Sequence, residues 1–269
     1  IPFLFMILNS FRKQFDMLQQ GVFHLPDPWF FDNYPNVIQG GIFNYFFRSV
    51  IVVAISMVIM LIIAAFAAYP LSRMKFKYRN LIYAGIVAMM SIPMHVTLVP
   101  IFKMSKAMGL YDNLFVLVGP YVTFALPMSV FILTAFMQTI PKEVEESAEI
   151  DGCNKYNNFF KIILPLSLPI LATVGLLVAL GYWNDWANGL YFISDKNLYS
   201  LQQLLKSIID NIKALAQVST GSVADAVSKL PSNSIRMAMA VIGVIPILAL
   251  YPFFQKAFVA GIALGGVKE

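Results

Sequence analysis

Charge is what this sequence has least of. Asp, Glu, Lys and Arg make up 12% of its 269 residues, about half the share of an ordinary soluble domain. A single cysteine, Cys153, excludes an internal disulfide. The two histidines, His24 and His95, lie far apart, and no Cys, His or carboxylate spacing suits zinc, so no metal site is expected. The chain also lacks a Gly-rich phosphate loop and a nucleophile elbow. If ATP drives this protein, another chain binds it, and no cofactor is expected here. What is abundant is apolar. A hydrophobic share of 59% and a mean hydropathy of +0.72 place the chain in the membrane class. The net charge of +5 fits the Lys and Arg excess of cytoplasmic loops, and no nucleic-acid partner is expected.

The gaps between charges locate the spans. A membrane-crossing helix needs about 20 mostly apolar residues. Uncharged stretches predict spans near 49–72, 80–102, 113–139, 162–184 and 237–255. Ile1–Phe11 is apolar but short, with neither a basic flank nor a small-residue cleavage pattern, so it is expected as the tail of a further span near 1–11. The expected fold is all-α and polytopic, with about six transmembrane helices in one domain over 1–269. Arg73, Lys75, Lys77 and Arg79 crowd a short connection, which is expected in the cytoplasm. Counting spans puts the loop 141–161 and the C-terminus on that side, and residues 12–42 and 185–235 outside. Trp29, Phe30 and Phe31 suit the headgroup level. Apolar residues at Leu198, Leu201, Leu204, Leu205, Ile208, Ile209 and Ile212 follow one face of an amphipathic helix over 198–216. Thr220–Ser234 is expected to be irregular. Gly175 and Gly181, with Pro246 and Pro252, are candidates for close helix approach or kinks.

The loop 141–161 is the most informative segment. Pro141 suits a first helical turn, and Glu143, Glu145 and Glu146 lie early enough to favour the helix dipole. Gly152 comes where a helix stop is expected, because it adopts the left-handed conformation cheaply. Asn154 is placed to cap a second short helix, to which Phe159, Phe160 and Ile163 give an apolar face. Pro165 marks the start of the next span. The prediction is two short helices joined by a glycine turn.

The spacing Glu146-Ser147-Ala148, three residues, Gly152, nine residues, Ile162-x-Leu164-Pro165 resembles the "EAA" loop of binding-protein-dependent ABC importer permeases, with Ser147 where the motif usually has Ala. Ile150-Asp151-Gly152, Leu164-Pro165-Leu166, Pro93, Pro100, Gly109-Leu110 and Trp183-Asn184-Asp185 resemble the carbohydrate branch of these permeases. Gly261 to Lys268 resembles the end of maltose-type subunits, and the insertion near 205–232 resembles permeases for larger oligosaccharides. The resemblance runs from about Asn44 onward. It implies a multi-pass protein of the bacterial cytoplasmic membrane that pairs with a homologous second permease subunit. It further implies two ATPase subunits carrying ATP and Mg, an extracytoplasmic solute-binding protein and a carbohydrate substrate. The helices around Gly152 would be coupling helices docked on the ATPase. Glu146, Ser147, Ala148, Asp151, Gly152, Ile162, Leu164 and Pro165 would form that coupling element.

Other side chains have plainer readings. Glu143 and Glu145 read as solvated loop charges, Arg73 to Arg79 as a topology signal, and Cys153 as a small buried filler. Tyr182 and Trp183 suit an interface belt; with Asn184 and Asp185 they are also candidates to line a sugar pathway, since aromatic faces and polar groups match a sugar's mixed surface. A stand-alone secondary transporter would need coupling charges within its spans, and the uncharged stretches hold none. A membrane-embedded enzyme would need a nucleophile–base pair or metal ligands. Within the importer class, glycerol phosphate, an amino acid or a peptide remain alternative substrates, although a phosphate favours Arg or Lys on the pathway.

Overall fold

A computed structural model describes residues 2–217 and 232–266, and among these the chain is helical with no strand. Most of the Thr220–Ser234 stretch expected to be irregular lies outside the described residues. A long helix runs from Ile42 to Arg73. It begins well before the uncharged stretch 49–72 and drives through Pro70, ending in the basic connection. Leu114–Thr139 is a second helix long and apolar enough to cross a bilayer. The stretch 237–255 falls within the helix Asn233–Gly266, which runs through both Pro246 and Pro252.

Two expected spans are broken. The stretch 80–102 is divided into Arg79–Met89 and Met94–Ala107, bent by 96°. Pro93 is the physical cause: it donates no N–H and pushes Ile92 out of the helical region. The stretch 162–184 bends by 68° around Ser167, where Pro165 and Pro169 both withhold a donor. Just upstream, Phe159–Ile163 forms a π-helical turn, in which Leu164 donates its N–H to the Phe159 carbonyl. In a regular α-helix the Pro165 ring would collide with the carbonyl of Lys161; the wider turn precedes it.

Chain contacts define two compact units. One comprises Val52–Tyr111, Phe115–Tyr182 and Leu250–Glu269. Its core packs Met60, Ala64 and Ala68 of the Ile42–Arg73 helix with Leu133 and Met137 of Val118–Thr139, and with Phe159, Ile163 and Val174. Small residues at 64, 65 and 68 let neighbouring backbones come close, which suits membrane helices. Gly175 serves the same end, since a Cβ there would come within 3.2 Å of Leu61 Cδ1, whereas Gly181 has open space around it. On the other face Val58, Ile59, Ile62, Ile63 and Phe66 are exposed. A helix apolar all round has no water-facing side. An apolar groove of about 570 Å³, lined by Met57, Leu61, Phe66, Phe160, Leu168 and Gly175, continues that surface.

The other unit comprises Ile1–Ile51, Asp112–Leu114 and Trp183–Ala249. The turn-rich region 12–42 holds two short helices, Gln14–Gln20 and Asn33–Gln39. Arg12, almost fully buried, closes the first by donating to the Asp16 and Gly21 carbonyls and to Gln20 Oε1. Trp29 and Phe31 are exposed and pack against Phe11, and Phe30 is half-buried. The amphipathic segment is the helix Leu201–Gln217, after a short 3-10 turn at Lys196–Leu198. It buries Leu201 and Ile208, and the Leu201 N–H is donated to Ser49 Oγ at 2.9 Å. Asp112, at φ 58°, accepts the N–H groups of Ser194 and Asp195 at 2.8 Å each and fixes the segment that leads into it.

Leu133 is fully buried in the first core. Leu133→Ala is expected to cost about 2–5 kcal/mol, read as a lower thermal midpoint of the detergent-solubilised chain, while Ile59→Ala on the exposed face leaves the midpoint within error.

Candidate functional site

The helix Val118–Thr139 ends because Ile140 precedes a proline and adopts an extended conformation. Pro141 is the N-cap of the helix Lys142–Ile150, one position earlier than the sequence suggests. Glu143 and Glu145 occupy its first turn, where negative charge suits the helix dipole. Ala148 is its buried residue. Ser147, in the place of the usual alanine, turns its hydroxyl back on the helix and donates to the Glu143 carbonyl at 2.8 Å.

The helix closes with a Schellman motif. Gly152 donates its N–H to the Glu149 carbonyl at 3.0 Å and Cys153 to the Ala148 carbonyl at 2.9 Å. Gly152 has φ +84°. Its surroundings are open, so the backbone and not space dictates glycine. Asn154 then caps the second short helix, Lys155–Asn158, accepting the Asn157 N–H at 2.8 Å. The residues Glu146, Ser147, Asp151 and Gly152 are exposed, Ile162 and Leu164 are half-buried, and Pro165 is exposed. They lie along one helix–turn–helix. Cys153 is only half-buried, which corrects its reading as a buried filler.

Two features escape the sequence reading. Ile150 is 86% and Tyr156 78% exposed, one on each side of the turn, giving a polar loop an apolar tip. Their signal is large apolar residues in an otherwise charged stretch. The second feature is an ion pair. Glu145 is not a solvated loop charge, nor Arg73 only a topology signal: Arg73 Nε stands 2.9 Å from Glu145 Oε1, with the side chains 5% and 15% exposed. Arg73 also donates to the Ile140 carbonyl at 2.6 Å, and Asn158 donates to Glu145 Oε2 at 3.1 Å. Tyr69 donates its hydroxyl to the Lys155 carbonyl at 3.2 Å. These partners are too far apart in sequence for any local pattern to announce them. Beside the pair, a cleft of about 230 Å³ is lined by Ser72, Lys75, Arg79, Lys142, Glu146 and Glu149.

The four residues expected along a substrate pathway divide. Tyr182 is buried; it stacks on Tyr121 and donates its hydroxyl to the Tyr121 carbonyl at 2.6 Å. Trp183 is buried against Phe46 and donates its indole N–H to the Gly243 carbonyl at 3.0 Å. Both rings are packing residues, not presented faces. Asp185 accepts the Asn188 N–H at 3.2 Å at the start of a short helix, and Asn184 is exposed.

Residues 60–264 match the family model described as a binding-protein-dependent transport system inner membrane component. Over 268 residues the chain is 39% identical to a putative ABC transporter permease protein of Caldicellulosiruptor sp. (strain Rt8B.4), covering 100% of this chain and 91% of that one. It is 33% identical to a polygalacturonan/rhamnogalacturonan transport system permease protein of Bacillus subtilis (strain 168), covering 100% and 92%. In fold it resembles a chain from the crystal structure of a bacterial ABC transporter involved in import of the acidic polysaccharide alginate, with a TM-score of 0.80 at 24% identity over 96% of this chain and 90% of that one.

Gly152→Ala puts an L-residue at φ +84°, at a cost of about 1–2 kcal/mol; Asn154→Ala removes a cap worth about 1 kcal/mol. Either change is expected to speed hydrogen exchange at amides 150–158 and leave the amides of the Ile42–Arg73 helix unchanged.

Proposed function

Because this chain belongs to the family of binding-protein-dependent transport system inner membrane components, multi-pass proteins of the cytoplasmic membrane, we propose that it forms one half of the pathway of an ATP-driven importer for a carbohydrate, in particular an oligosaccharide. A second permease subunit completes the pathway, an extracytoplasmic binding protein delivers the substrate, and two ATPase subunits supply ATP and Mg. The substrate class is supported by relatives named for polygalacturonan and rhamnogalacturonan and for diacetylchitobiose. Asn184, exposed at the end of the helix that follows Ser167, is the pathway residue this reading selects.

The observation that carries the proposal is the helix–turn–helix at Lys142–Asn158. An apolar pair at a water-facing loop tip, Ile150 and Tyr156, is surface of the kind another protein covers. The exposed Glu146 beside it offers a charge for a basic partner. In this reading Glu146 pairs with a basic residue of the ATPase, and Ser147, Asp151 and Gly152 shape the docked turn. Ala148, Ile162, Leu164 and Pro165 hold it against the spans. Closure of the ATPase dimer moves this turn, and the turn moves the helices behind it, a two-state element biased by a ligand.

The test is co-purification of the chain with its neighbouring permease and candidate ATPase, followed by ATP hydrolysis with and without sugar-loaded binding protein. The wild-type complex should respond to the loaded binding protein. Glu146→Lys and Gly152→Pro should release the ATPase while thermal melting of the spans is unchanged. Assembly without any ATPase, with transport by the chain alone, would refute the importer reading.

A further inference from the structure

Docking explains how the ATPase holds the turn but not how the turn's movement reaches a span. Among the described residues, the two short helices make polar contacts with the last two turns of the Ile42–Arg73 helix. There the Glu145 carboxylate is divided between two partners. Oε1 faces Arg73 Nε at 2.9 Å and Oε2 accepts the Asn158 amide at 3.1 Å. One side chain therefore joins the first short helix, the second short helix and the last residue of a span. Arg73 in turn donates to the Ile140 carbonyl at 2.6 Å, clasping the residue where Val118–Thr139 ends. One turn earlier on the same helix, Tyr69 donates to the Lys155 carbonyl at 3.2 Å.

We propose that Arg73 and Glu145 are the positioning residues that transmit motion of the helix pair to the Ile42–Arg73 helix. The inference rests on the coupling reading given above. Exposed ion pairs hold little, because water competes for both charges. This one is 5% and 15% exposed, so separating the partners strands a charge out of water, and the two helices are driven to move as one body. The guanidinium is suited to the task because its Nε stands beside the carboxylate while a terminal N–H is donated to the Ile140 carbonyl; a lysine ammonium lacks that geometry. Glu145 and Glu146 thus divide the work: adjacent on one helix, the first faces the spans and the second faces outward.

The experiment uses the assembled transporter in lipid nanodiscs and measures basal ATP hydrolysis, its stimulation by sugar-loaded binding protein, and, in proteoliposomes, sugar moved per ATP. Arg73→Gln and Glu145→Gln should keep the ATPase bound and basal hydrolysis near wild type. Stimulation and sugar per ATP should fall about tenfold, within the usual range of an allosteric coupling. Arg73→Lys should lie between them and wild type. Wild-type stimulation in both glutamine variants would overturn the positioning role. With that result, loss of the ATPase from Glu146→Lys leaves the coupling reading intact, whereas retention of the ATPase by Glu146→Lys sinks that reading as well. Should Arg73→Gln fail to assemble, Glu145→Gln and Arg73→Lys decide: lowered stimulation in an assembled variant supports the link, and wild-type stimulation, or loss of the ATPase from both, overturns it.

Discussion

Hydrocarbon offers the peptide group nothing to bond with, and that constraint governs where this chain is straight, where it bends and where its polar residues gather. Inside a bilayer every N–H and C=O finds its partner within the chain. The Ile42–Arg73 and Val118–Thr139 helices meet the demand by helical bonding that continues past an internal proline in each. Where the spans bend, prolines stand at the break: Pro93 between two helices at 96°, and Pro165 and Pro169 about the bend at Ser167. The π-helical turn at Phe159–Ile163 belongs to the same account, because it widens the helix just ahead of a residue that cannot donate.

Between Lys142 and Asn158 the same accounting is done by side chains and turns. The helix Lys142–Ile150 hands its last carbonyls to Gly152 and Cys153, Asn154 starts the next helix, and Asn158 returns to the first through Glu145. Little of this depends on a hydrophobic core. The helix pair buries Ala148 and Asn158 and leaves its two largest apolar tip residues exposed, so its shape is held largely by polar contacts. A segment built that way suits a moving part, since it keeps its internal geometry while its position is set by what grips it from either side.

The contrast between what was and was not legible in the sequence follows from the same physics. Long uncharged stretches, the glycine turn and the Asn154 cap are local patterns, and each can be read from a few neighbouring residues. The bends were harder. Pro93 and Pro165 were visible, but Pro70 and Pro127 sit inside unbroken helices, so a proline alone does not say whether a helix ends. The Arg73–Glu145 pair was misread on both sides because an Arg after a span and a Glu in a loop each have an ordinary explanation, and only the fold brings them together. Tyr182 and Trp183 were misread for the opposite reason. Their position suited a ligand or a membrane surface, yet each ring found a buried carbonyl for its polar atom.

The turn at Gly152 has a consequence for how the sequence can drift. A Cβ at the position would meet no neighbour within the chain; what is refused is chirality, because the backbone there is the mirror of the one L-residues prefer. Asparagine is the encoded residue that comes nearest to tolerating it. Mutational routes away from glycine at this position are therefore few, and they are narrowed by the hand of the amino acid and not by the fit of its side chain.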